Sequence, residues 1–206
     1  PLKGRIKKLK KRTHAAVLKN GEVVCGRIRH WSSLSNCDFV FDREGNILIA
    51  DYHIRNRKSA VERNLFRYDG KNRLLESWRI MRSCQFERNL YFYSEAGLLR
   101  EMQVYEGIIA EDSTDYAGWL HFLPDGLLAD KDGEAADIER LNLKHRHTVY
   151  YEYDGIGRLI RETEASESVE GVKTYSYDGE SGRIKEYYFY ENGIRIEQWL
   201  YTHTPQ

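Results

Sequence analysis

The chain of 206 residues is 41% hydrophobic and balances 32 Lys or Arg against 32 Asp or Glu. That composition suits a folded protein with a buried core and not a disordered chain, and selects no nucleic acid or other partner through overall charge. No apolar run reaches the about 18 residues of a membrane helix, so no membrane span is expected. The sequence opens on Pro1 with no apolar leader, which predicts processing or trimming at this end.

In chain order, residues 3–12 (KGRIKKLKKR) hold seven basic side chains, and residues 1–20 hold no acid. Charge at a sheet edge blocks pairing with other chains, so the stretch reads as a solvated edge strand in preference to a nucleic-acid or anionic-membrane contact. VLKNGEVVCGRIRHW (17–31) carries Asn20-Gly21, a two-residue hairpin signal, and is expected to extend the sheet toward the N-terminus.

From residue 39 a unit recurs six times: FVFDREGNILIAD (39–51), FRYDGKNRLLES (66–77), YFYSEAGLLRE (91–101), YEYDGIGRLIRE (151–162), YSYDGESGRIKE (175–186) and YFYENGIRIEQW (188–199). Its skeleton is aromatic, any residue, aromatic, Asp or a substitute, a turn closed by Gly or Asn, then an aliphatic pair leading into charges. Each unit predicts a β-hairpin. Asp42, Asp69, Asp154 and Asp178 accept hydrogen bonds within the turn, and Gly45, Asn72, Gly97, Gly157 and Gly182 take the left-handed conformation, for which Asn is the best substitute; in the fourth unit this closes a bulged three-residue hairpin. Asn192-Gly193 is a two-residue type I′ signal. In the fourth unit an unbulged register past the turn sets Tyr153 opposite Leu159 and Tyr151 opposite Arg161, with the Arg161 stem over the Tyr151 ring and Glu152, Ile160 and Glu162 on the other face. A lone hairpin is marginal in water, so the units must stack, with tyrosine rings forming ladders from one unit to the next.

The period breaks at 106–148, where ten acidic side chains face four Lys or Arg between Glu106 and Arg146. WLHFLPDGLLAD (119–130) reads as a degenerate unit turning at Pro124-Asp125-Gly126, and EAADIERLNL (134–143) as one short helix. The domain expectation is a single repeat domain over 1–206: N-terminal strands 1–38, repeats 39–105, an irregular acidic insertion 106–148, and repeats 149–206. Irregular insertions on rigid sheets often carry function, so a hydrolase site in this stretch is the rival to a binding role.

Specific chemistry is hard to place elsewhere. Cys25, Cys37 and Cys84 are odd in number and lack CxxC spacing, which predicts buried free thiols and neither disulfides nor a cysteine zinc site. His145 and His147 share a strand face without an assignable third ligand, so no metal or cofactor is expected. There is no GxSxG, no phosphate-cradling glycine loop and no assignable catalytic residue. Charges on both hairpin faces, including Arg183 and Lys185, argue against a lipid-embedded barrel, where each midplane Arg or Lys costs roughly 2–4 kcal/mol. The fold class expected is all-β: an antiparallel meander of repeated hairpins.

The YxYDxxGRLxxE pattern, clearest in YEYDGIGRLIRE and FRYDGKNRLLES, resembles the YD repeats of the Rhs and teneurin proteins and of smaller bacterial envelope proteins. The resemblance implies a continuous, curling antiparallel sheet and a cell-envelope or secreted location. The sequence lacks the DPxGL-type segment that ends the Rhs shell, so a small open or partly curled sheet is expected. The function expected is a non-enzymatic binding or scaffold module for a carbohydrate or protein partner. Its candidate ligand surface is Tyr151, Tyr153, Tyr175, Tyr177, Tyr188 and Tyr190, because each ring offers apolar area and a hydroxyl at low entropic cost.

Overall fold

The computed structural model describes residues 7–12, 14–20, 22–28, 36–53, 62–81, 85–108, 121–122, 128–129, 142–179 and 182–201. Its strands are β1 (Lys8–Lys11), β2 (His14–Lys19), β3 (Glu22–Ile28), β4 (Cys37–Phe41), β5 (Ile47–Tyr52), β6 (Glu62–Tyr68), β7 (Leu74–Met81) and β8 (Gln85–Tyr93). They continue as β9 (Leu99–Ile108), β10 (His121–Phe122), β11 (Leu128–Ala129), β12 (Lys144–Tyr153), β13 (Leu159–Ser166), β14 (Glu170–Tyr177), β15 (Ile184–Glu191) and β16 (Ile194–Leu200). The described residues are all-β: twelve strands form an antiparallel meander in the order β1-β4-β5-β6-β7-β8-β9-β12-β13-β14-β15-β16, while β2-β3 and β10-β11 are separate two-stranded sheets. The chain divides into two compact units, residues 1–88 with 106–144 and residues 89–105 with 145–206.

The turns form for the reasons the unit supplies. Asp154 N donates to Arg158 O at 2.9 Å and Gly157 N to Asp154 O at 3.0 Å, while the Asp154 carboxylate accepts from the backbone N of Ile156 and Arg158. The same closure joins Asp42 to Asn46, Asp69 to Arg73, Ser94 to Leu98 and Asp178 to Arg183. Gly45, Asn72, Gly97, Gly157 and Gly182 all take positive φ, as do Asn192 and Gly193. Arg158 returns a side-chain bond from Nε to Asp154 Oδ2 at 2.6 Å, and Arg73 does the same to Asp69 at 2.7 Å.

Past the turn in five of the repeat hairpins the register differs from the unbulged expectation. Tyr153 does oppose Leu159, but Glu152 opposes Arg161 and Tyr151 opposes Glu162, so Ile160 is looped out. Leu48, Leu75, Lys185 and Ile196 are passed over in the same way in their own hairpins. A bulge sets two residues against one and adds local twist. An aliphatic residue is spent on it in four of these hairpins and Lys185 in the fifth, and every charge beyond changes face. Arg161 therefore lies 3.7 Å from Glu152 and not over Tyr151, and Glu162 joins the tyrosine face.

The first unit, with β1 to β7, contains the deepest core. Register runs Val40, Ile49, Leu65 and Trp78 across four strands. Leu65, Trp78, Ile80 and Phe86 are all below 2% exposed, each apolar side chain contributing about 1.5–3 kcal/mol by leaving water. The basic stretch does supply an edge strand, since β1 pairs with β4 at one end of the sheet order. Arg12 ties it down with an ion pair to Asp38 at 2.6 Å. The Asn20-Gly21 stretch forms the β2-β3 hairpin, but as its own sheet and not as an extension of the large one, because β1 already occupies the free side of β4.

Cys37 is buried and its thiol is pushed up to about 11, chiefly by burial and then by Asp38, whereas Cys25 is exposed, contrary to the expectation of buried thiols. Cys84, the turn at 124–126 and the helix expected at 134–143, up to its last two residues, lie outside the described residues. The degenerate unit at 119–130 does contain a strand pair, β10 with β11.

Candidate functional site

Two charged clusters invite comparison, and their hydrogen-bond inventories separate them. In the first unit Glu76, 4% exposed, accepts from Arg67 Nε at 3.0 Å and Nη2 at 2.7 Å, from Arg88 Nε at 2.7 Å and from the Trp78 indole N–H at 2.9 Å. A carboxylate has about four lone-pair sites, so Glu76 is saturated and has nothing to offer a ligand. Arg88 also stacks over the Trp78 ring, 5.3 Å from its centroid. This cluster fastens the core.

The second unit leaves its carboxylates less occupied. Strand alternation and the bulge place Tyr151 of β12, Glu162 of β13, Lys173 of β14, Phe189 of β15 and Glu197 of β16 in one row. Glu162 accepts from the Tyr175 hydroxyl at 2.6 Å and from Lys173 Nζ at 3.3 Å, which fills only part of its capacity. Beside that row lies a second one, Val149, Glu164 and Gly171. Glu164, about half exposed, has His147 Nδ1 at 3.7 Å, longer than a hydrogen bond.

Gly171 opens a hollow between these rows. A Cβ there would meet Phe189 Cε2 at 3.4 Å and Glu164 Cβ at 3.7 Å, so the Phe189 ring covers bare backbone. The result is a cavity of about 220 Å³ with Tyr151, Phe189, Val149 and Met102 as its apolar lining and Glu162, Glu164, Lys173 and His147 as its polar lining. It is smaller than the about 300–1,000 Å³ of drug-sized ligand sites and has room for one small ring.

Burial raises the tyrosine hydroxyls here. Tyr151 is pushed up to about 12, first by desolvation and then by the Glu162 charge, and Tyr175 rises from burial, its hydrogen bond to Glu162 and that charge. Both stay neutral hydrogen-bonding phenols at physiological pH. Among the described residues no three His, Cys, Asp or Glu side chains gather as a metal would require. His145 instead meets Thr148 Oγ1 at 2.8 Å, and its ring stands edge-on to Tyr105.

Of the six tyrosines expected on one ligand surface, Tyr151, Tyr153, Tyr175 and Tyr177 do share a face. Tyr188 and Tyr190 oppose Thr174 and Val172 and lie on the other, so Tyr187 and Phe189 take their place. The ladder is also interrupted: Tyr175 meets Tyr187 at 5.5 Å between centroids, but Glu162 separates Tyr151 from Tyr175. Tyr177 is held from both sides, donating to Leu159 O at 2.6 Å while Arg158 covers its ring at 4.7 Å. The residues missed by sequence reasoning were Glu162, Glu164, Gly171, Lys173 and Phe189. Gly171 inside a strand pattern was the available signal, since such a glycine marks close approach. Of the insertion proposed for a hydrolase site, only 106–108, 121–122, 128–129 and 142–148 are described.

No known protein-family model matches the chain, and no curated protein matches its sequence. Among the described residues no helix is long and apolar enough to cross a membrane.

Proposed function

We propose that this protein is a non-enzymatic binding module of YD-repeat type whose second unit holds a carbohydrate against the face carrying Tyr151, Glu162, Lys173 and Phe189. The observation that supports this reading is that row itself: the aromatic rings of Tyr151 and Phe189 flank the partly engaged Glu162 and Lys173, and Gly171 opens a ring-sized hollow beside it. A pyranose ring has an apolar face that packs on aromatic rings and hydroxyls around its rim that need hydrogen-bond partners, and this surface offers both. The repeats act as the rigid frame, and a cell-envelope or secreted setting suits a glycan-facing module.

A glycan array followed by titration calorimetry tests the reading, using the whole chain and the Tyr151→Ala and Phe189→Ala variants. Each variant should keep its circular dichroism spectrum and lose at least about tenfold in affinity, about 1.4 kcal/mol. Retention of no glycan, or wild-type affinity in both variants, would overturn it. A protein captured through this face in place of glycans would reassign the partner, and glycan turnover lost on shortening 109–141 would favour the hydrolase.

A further inference from the structure

The cavity over Gly171 has more hydrogen-bond acceptors than donors. Glu162 and Glu164, two apart on β13, face it together and between them offer about eight lone-pair sites. Tyr175 and Lys173 engage Glu162, and His147 approaches Glu164 without reaching hydrogen-bond distance. A ligand seated here must donate. Charge points the same way, since two carboxylates face one lysine ammonium, and Glu164 has the His147 imidazole 3.7 Å away in place of a lysine or arginine.

The apolar walls set the second requirement. Phe189 lies against the Gly171 backbone, and Tyr151 lines the far side of the cavity three strands away, so a sugar ring packs on Phe189 with its rim near the carboxylates. Aromatic faces also attract a cation. An anionic sugar would meet Glu164, and a neutral acetamido group would leave that charge unpaired.

Resting on the carbohydrate reading above, we infer that this cavity is selective for an amino sugar with a free ammonium group, its ring against Phe189 and its ammonium on Glu164. The hexosamine is recognised as part of a polymer or oligomer, because the cavity admits one ring and the flanking row continues to Glu197.

Calorimetry with three oligomers of equal length tests this: a fully de-N-acetylated glucosamine oligomer, its N-acetylated counterpart and a cello-oligosaccharide, at about pH 6, where the amine is protonated. The free-amine oligomer should bind at least about tenfold more tightly than either other, a difference of about 1.4 kcal/mol. Glu164→Gln, at a half-exposed position, should bring the three affinities together while the fold is retained. Gly171→Leu, which fills the cavity, should abolish binding of all three. Equal affinities in the wild type, or a preference that survives Glu164→Gln, would overturn the inference while leaving carbohydrate binding intact. Polylysine competing as well as the amino-sugar oligomer would overturn it in favour of a bare cation site. Failure of every oligomer to bind would overturn both this inference and the carbohydrate reading.

Discussion

The Trp78 indole donates its N–H to Oε1 of Glu76 at 2.9 Å, joining a wholly buried ring, the largest among the described residues, to a carboxylate that is itself 4% exposed. The same oxygen accepts from Arg88, and the other oxygen accepts from Arg67 twice. Glu76→Ala therefore strands an indole N–H and two guanidinium groups at once. Breaking a fully buried pair costs about 3–5 kcal/mol; here the loss should be roughly 2–4 kcal/mol, because Arg67 and Arg88 remain a quarter to a third exposed. Urea unfolding reads it directly, and a midpoint unchanged from wild type would contradict the role assigned to the cluster.

Gly157 closes its turn at φ +85°, where a side chain is strained, yet the nearest atom to an added Cβ is Leu98 Cδ2 at 4.0 Å. The penalty for Gly157→Val is thus one of backbone conformation and not of space, at least about 1–2 kcal/mol. Ile156, beside it and 77% exposed, has an ordinary conformation, so Ile156→Thr should leave stability nearly unchanged. Equal shifts in the two unfolding midpoints would contradict the turn geometry.

Acid should weaken the hairpins through their turn aspartates. Asp69 and Asp154 are held below the ordinary carboxylate range, first by hydrogen bonds from the backbone N–H of Arg73 and Arg158 and then by those arginine side chains. A carboxyl that binds its proton less tightly when folded stabilises the fold above its unfolded value, about pH 4, and loses that contribution as pH falls through the folded value. The urea midpoint should drop between neutral pH and about pH 3, and drop less in an Asp69→Asn, Asp154→Asn double variant. An identical drop in both proteins would remove these residues from the account.

Alkali acts on the other sign. Tyr151 rises to about 12 and Tyr175 is raised as well, burial being the first cause for each. Groups that hold their proton more tightly in the fold contribute stability that is full below about pH 10 and lost as pH climbs through the folded value. Tyrosinate absorbance should titrate in two classes, the later one coinciding with loss of the strand signal. Tyr151→Phe should reduce the late class and blunt the alkaline loss. A single class near pH 10 in the folded protein would refute the burial of this face.

The hairpin signals were readable in the sequence because their causes are local. Asp154 reaches its own backbone two and four residues on, and Asn72, Gly97 and Gly157 stand where positive φ is required, so identity and conformation are tied within one turn. The further bulge past the turn, at Ile160, was not readable. Leu159 and Ile160 are equally aliphatic, and which is looped out depends on how the whole strand pair settles its hydrogen bonds. That one-residue choice moves Glu162 to the face of Tyr151 and sends Arg161 to Glu152.

The sequence by itself determined an all-β chain of turn-closed hairpins, since turn chemistry and strand alternation operate over a few residues. Only the tertiary structure decided that β1 takes the place beside β4, that Tyr187 and Phe189 replace Tyr188 and Tyr190 on the shared face, and that Gly171 opens a hollow next to Glu162 and Lys173. Those outcomes depend on register summed across successive strands, where each looped-out residue reverses the facing of everything beyond it.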